Sequence, residues 1–186
     1  MSEAALSLLI SLINIFTIGV VFNFLFRLLR VDYYNPLVQG IIKAVDFPGK
    51  ILRSFIKPIY SLDLSSFFIA IFAKAGIFYL VLTMENSENY DLISILIWSF
   101  YSVTLLILNM VWLIMIGGII LSWIASNNFH PAIVLVRQMA DKIFTPFRKV
   151  LPPMGGLDFS PILAFILLTF FRDIFTNFAR ASVLQI

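Results

Sequence analysis

The chain has 186 residues, 61% of them hydrophobic and only 12% charged, with a formal charge of +3. A mean hydropathy of +1.00 places it outside the range of water-soluble domains and inside that of integral membrane proteins. The lack of cysteine and the single histidine, His130, exclude disulfides and thiolate chemistry, leave no catalytic constellation, and argue against an enzyme.

Residues 4 to 29 form the first long apolar run, broken before Arg27 only by uncharged polar residues such as Asn14, Thr17 and Asn23. About 20 residues suffice to cross the hydrocarbon core as a helix. The run lacks the basic start and small-residue cleavage site of a secretory signal, so it is expected to stay as an anchor. Arg27, Arg30 and Asp32 close it, and Asn35-Pro36 then reads as a helix start, Asn as cap and Pro at the first helical position. Pro48-Gly49 is predicted to end that helix. Beyond it, Ile51, Leu52, Phe55 and Ile56 fall on one helical face and Lys50, Arg53 and Lys57 on the other, which suits a segment lying in the headgroup layer. Pro58 stops this segment; Ser65 is placed to cap a second span reaching about residue 84, with Asp63 near the positive end of its dipole.

Residues 85 to 91 carry Glu85, Glu88 and Asp91 and no basic residue, and residues 92 to 125 carry no charge at all. As one straight helix the latter would measure about 51 Å against a hydrocarbon core of about 30 Å, so it must tilt, protrude or break. Gly117-Gly118 is the candidate hinge. Gly118, Ser122 and Ser126 also recur at every fourth position, the small-residue stripe that lets membrane helices approach closely, and this packing reading is preferred. In the next connection Pro131 starts a helix, Arg137, Lys142, Arg148 and Lys149 supply charge, and Pro146 and Pro152-Pro153 punctuate it. Ser160-Pro161 opens a fourth span running to about residue 179.

The two connections match at a constant offset of 95 positions. It superposes Arg53 on Arg148, Pro58 on Pro153, Asp63 on Asp158 and Ser65 on Ser160, and further pairs Asp46 with Asp141, Pro36 with Pro131 and Asn14 with Asn109. The chain therefore reads as a tandem duplication, residues 1–90 and 91–186, each copy holding two spans and one loop. Basic residues crowd both loops and are absent from 85–91, so the positive-inside rule puts the loops in the cytoplasm and both termini outside. Two-span copies enter the membrane in the same direction, which gives a pseudo-twofold axis along its normal.

The segment Leu151-Pro152-Pro153-Met154-Gly155-Gly156-Leu157-Asp158-Phe159-Ser160-Pro161, following Pro146-Phe147-Arg148-Lys149, resembles the signature of the YggT family of small membrane proteins. The resemblance extends over both copies, although the first has Ile59-Tyr60-Ser61 where Met154-Gly155-Gly156 stand. It implies a protein of bacterial inner membranes, with relatives in cyanobacteria and plastids. It also implies a link to osmotic tolerance and ion uptake, to cell or plastid division, or to cytochrome assembly.

Three groups of residues are candidates for function. Lys74 falls at the middle of the second span, where a lysine costs about 2.5 to 3.5 kcal/mol and should face protein or water; Asp173 in the fourth span is at comparable depth, and Arg172 beside it completes a three-charge cluster. Such a cluster either fixes helix packing or lines an ion path. Asn14 and Asn109 are expected to bond across the pseudo-twofold axis, chiefly as a packing device. Arg53 with Asp63, and Arg148 with Asp158, bracket proline turns and are expected to bridge within each loop. His130, without a second ligand nearby, is not expected to bind metal.

The expectation is thus an all-α membrane protein of four spans with amphipathic loop helices and no cofactor. The preferred function is a scaffold or assembly factor that offers basic loops to anionic lipids and to a membrane-protein partner or a second copy, not to nucleic acid. The competing class is transport, with Lys74, Asp173 and the paired asparagines along the path.

Overall fold

The computed structural model describes residues 3–55, 63–84, 91–124, 129–155 and 158–184, of which 47–49, 51–55 and 181–184 are described in backbone alone. Its elements are six helices: α1 (Glu3–Leu28), α2 (Pro36–Phe55), α3 (Leu64–Met84), α4 (Leu92–Ile124), α5 (Pro131–Val150) and α6 (Ser160–Leu184). Four of them, α1, α3, α4 and α6, are long and apolar enough to cross a membrane. α1 closes with Arg30 in the left-handed region (φ 50°), which lets the Val31 amide reach back to the Phe26 carbonyl at 3.0 Å and satisfies one of the free carbonyls of the helix end.

The first connection differs from the expectation. Pro48-Gly49 does not end a helix there: α2 runs through both to Phe55. α5 likewise runs through Pro146. A proline inside a helix frees the carbonyl four residues back, and here those residues are Ala44 and Lys142, both exposed, so the freed carbonyls face solvent or headgroups. Both connecting helices begin at a proline, Pro36 and Pro131, behind a side-chain cap. Asn35 Oδ1 accepts from the Leu37 amide at 3.0 Å and His130 Nδ1 accepts from the Ala132 amide at 3.3 Å.

α4 is continuous through Gly117-Gly118. Gly118 instead serves packing: a Cβ built on it would lie 2.2 Å from the Ala140 Cβ of α5, and one on Gly19 would lie 2.8 Å from Val45 Cγ1 of α2. Each loop helix thus rests against a glycine of the span before it. α1 packs on α3, α3 on α4 and α4 on α6, so the spans stand in a row in that order. α2 lies against α1 and α3, α5 against α4 and α6, and the two loop helices touch; connectivity puts both at the same end of the row.

That end holds much of the core. The buried residues of α1 other than Leu6 run from Thr17 to Phe26, and those of α3 other than Ile77 from Ser65 to Ile71. Val38 and Val45 of α2 and Leu135, Met139 and Phe144 of α5 are buried there too. Toward the other end large apolar side chains such as Leu8, Leu12, Ile93 and Phe178 stay exposed, as acyl chains require. Several hydroxyls inside the spans turn back on their own helix: Thr17 donates to the Ile13 carbonyl at 2.7 Å and Ser99 to the Ile95 carbonyl at 2.6 Å, which satisfies these two donors away from lipid.

Candidate functional site

Among the described residues, a densely bonded polar group joins α1 to the start of α3. Asp63 follows the first connection and accepts the Ser66 amide on Oδ1 at 3.4 Å, so it, not Ser65, caps α3. Its Oδ2 receives the Ser66 hydroxyl at 2.8 Å and Arg27 Nε at 3.1 Å. Asn23, one turn before Arg27, donates to Ser66 Oγ at 3.0 Å and accepts from Arg27 Nε at 3.5 Å. Asn23, Asp63 and Ser66 are each no more than 2% exposed. Arg27 also lies 4.0 Å from Asp46 of α2, which Lys50 approaches to 3.9 Å. Charge and donors are matched throughout, as burial demands.

Arg27 was read from sequence only as a flank of the first span, and Asp63 was expected to bridge to Arg53. The Arg53 side chain, Pro58 and Gly156 lie outside the described residues. The signal that would have found Arg27 is its helical spacing: Asn23 and Arg27 are one turn apart on the face that meets α3.

Around the second connection the carboxylates are answered from the loop helix. Arg148 Nε donates to Asp158 Oδ2 at 2.8 Å, and Arg148 is also paired with Asp141. Those two carboxylates, Asp141 foremost, raise the Arg148 guanidinium above its ordinary value. Partial burial works against ionisation of Asp158, yet Ser160 and Arg148 together hold its carboxyl below the usual range. The Ser160 amide donates to Asp158 Oδ1 at 2.9 Å, and Ser160 itself is fully buried. Gly155, in the turn between α5 and α6, has φ 60°, a conformation that suits glycine. Pro153 and the exposed Met154 belong to the same turn, and Pro161 stands in the first turn of α6.

The mid-membrane candidates are arranged differently from the expectation. Lys74 Nζ donates to Asn14 Oδ1 at 2.8 Å; among the described residues no ion pair joins it to Asp173, and Asp173 is exposed on α6. The row order is the reason, because α4 stands between α3 and α6. Asn109 is exposed and does not bond Asn14, since α1 packs chiefly on α3 rather than on α4. Among the described residues no group of His, Cys, Asp and Glu could hold a metal ion.

Four apolar spans, with polar clusters where the connecting helices meet them, define a multi-pass helical membrane protein. A family model described as CCB3/YggT matches residues 97–179. The uncharacterized protein PA0392 of Pseudomonas aeruginosa is 36% identical over 169 residues, 90% of this chain and 86% of that protein. The uncharacterized protein YggT of Escherichia coli K12 is 30% identical over 181 residues, 96% and 89% respectively. The chain belongs to the CCB3/YggT family. YlmG homolog protein 2, chloroplastic, of Arabidopsis thaliana is 42% identical over 67 residues, 36% of this chain and 26% of that protein. No solved structure matches the chain.

Proposed function

We propose that this protein is a non-enzymatic scaffold or assembly factor of the bacterial inner membrane, with α2 and α5 as one amphipathic, basic platform on the cytoplasmic face and both termini outside. The observation that carries this reading is the junction between the two loop helices. Asn35 Nδ2 donates to the Pro131 carbonyl at 2.8 Å and the Asp32 amide to Gln138 Oε1 at 3.2 Å. Elements distant in sequence are thereby held side by side, and Lys43, Lys50, Lys142 and Lys149 are exposed on them. Each such charge adds about 1 kcal/mol of attraction to anionic lipid, and a membrane-protein partner or a second copy would dock over the same face. The tandem duplication accounts for the two loop helices beginning at Pro36 and Pro131, 95 positions apart.

A second reading, passage of an ion or osmolyte, is favoured by the Lys74–Asn14 pair within the bilayer. One pair of experiments separates them. Photo-crosslinkers at Lys43 and Lys142 should give a discrete protein adduct in cells, whereas the same probe at the exposed Ile166 should give none. Potassium, proton and chloride flux in proteoliposomes should be at background. Flux that disappears in Lys74→Met, without any adduct at the platform, would replace the scaffold reading by transport.

A further inference from the structure

A cavity of about 780 Å³ opens among the end of α4, α5 and the start of α6. Its lining carries both signs of charge, Arg137 and Arg148 with Asp141 and Asp158, beside apolar Ile119 and Trp123. Its volume is that of a small-molecule site. Trp123 is 82% exposed near the end of a 33-residue span, a position that suits the headgroup layer, where indoles concentrate.

The other half of the chain indicates what the cavity takes. Counting back 95 positions from Gly118 and Ser122, both in the cavity wall, gives Asn23 and Arg27, whose long side chains are built into the network of α1 and α3. Counting back from Asp141 and Asp158 gives Asp46 and Asp63. Those two carboxylates have a cationic group of the span between them, Arg27 at 4.0 and 3.1 Å. At Asp141 and Asp158 the span offers only glycine and serine. Arg148 reaches both carboxylates, but one guanidinium against two carboxylates leaves a charge of −1, and the Asp141 side chain is 60% exposed. Arg137, which donates to the Leu121 carbonyl at 2.9 Å, also lines the cavity and brings a second guanidinium charge that attracts an anion.

We infer that this cavity binds the headgroup of an ethanolamine phospholipid. The ammonium takes the place beside Asp141 and Asp158 that corresponds to the Arg27 guanidinium, the phosphate turns to Arg137, and the acyl chains leave along Ile119 and Trp123. Among ethanolamine, glycerol and choline headgroups, only the first meets all the groups at once. A glycerol headgroup brings negative charge and no cation for the carboxylates, and choline brings a cation without the N–H donors that a carboxylate accepts.

The test is to reconstitute the full chain in bilayers holding equal parts of ethanolamine, glycerol and choline phospholipids, extract it gently, and weigh the retained lipid by native mass spectrometry. The ethanolamine lipid should be retained about tenfold over either competitor. Ser122→Arg, which supplies from the span the guanidinium that Arg27 supplies in the other half, should bring retention to the bulk ratio. Asp141→Asn should do the same and, at an exposed side chain, should fold regardless of how Ser122→Arg behaves. Millimolar glycerophosphoethanolamine should not displace the lipid. Preference for the glycerol lipid, no preference, preference that survives Asp141→Asn, or displacement by the soluble headgroup would each overturn the inference.

Discussion

Arg27 and Asp63 meet at 3.1 Å across the seam between α1 and α3, and the carboxylate is 1% exposed. A buried pair is weak evidence for stability by itself, but removing one member strands the other. Arg27→Met should therefore cost about 3 to 5 kcal/mol, read as earlier unfolding in a detergent titration. The double variant Arg27→Met with Asp63→Asn should recover most of the loss. Equal loss in single and double variants would mean that the methionine fails to pack, not that a charge is stranded.

Asp158 gives a pH signature. Its carboxyl is held below the usual range by Ser160 and Arg148 against the opposing effect of burial, so its contribution is present above the unfolded-state pKa of about 3.9 and is lost as pH falls through the lower folded-state value. The pair is about a third exposed, so the contribution is about 1 kcal/mol or less. Asp158→Asn should lower stability slightly at neutral pH and flatten the acid limb of the stability curve below about pH 4. A variant curve parallel to wild type over that limb would show that Asp158 is not the titrating group.

Lys74 and Asn14 should behave as a pair in which the lysine is the costly member. Lys74→Met removes a charge worth about 2.5 to 3.5 kcal/mol on insertion scales and strands only an amide, whose bond averages about 0.6 kcal/mol. It should be neutral or stabilising. Asn14→Leu, which strands the lysine, should destabilise, and Lys74→Met should rescue it. Charge reversal at Lys74 combined with reversal at Asp173 should rescue nothing, because α4 lies between their helices.

The glycines divide sharply. Gly118→Val should force α5 off α4 and cost about 1 to 3 kcal/mol as an overpacking change, since even a Cβ there meets Ala140 at 2.2 Å. Gly76→Ala, where a Cβ meets nothing within 4 Å, should be neutral or gain about 0.5 to 1 kcal/mol. Thermal unfolding of the two variants side by side checks both.

The spans and the start of each loop helix were legible in the sequence because they rest on local signals: unbroken apolar runs, and Asn35-Pro36 and Pro131 as helix starts. Pro48-Gly49 was read as a stop, but an exposed Ala44 carbonyl can do without its partner, and the α2 helix continues. The expected meetings of Asn14 with Asn109 and of Lys74 with Asp173 needed the order of the spans, which no single-chain periodicity encodes. Asp63 meets Arg27, which the shared motif does not reveal, because membership of a motif says nothing about which distant helix brings a cation near. Its expected partner Arg53 has its side chain outside the described residues. The Arg148–Asp158 bridge, by contrast, spans ten residues and one turn, short enough for sequence to suggest it.

The Lys74 ammonium is answered by the dipole of a neutral amide, and among the described residues no carboxylate pairs with it. A fixed positive charge in a medium of low dielectric is felt over a long distance, because neither water nor salt screens it there. Any cation travelling along the seam between α1 and α3 would meet an electrostatic barrier at mid-depth, while an anion would meet a well. The seam is thus polarised against the potassium and protons that a flux assay would first be set to detect, and chloride belongs in that assay from the start.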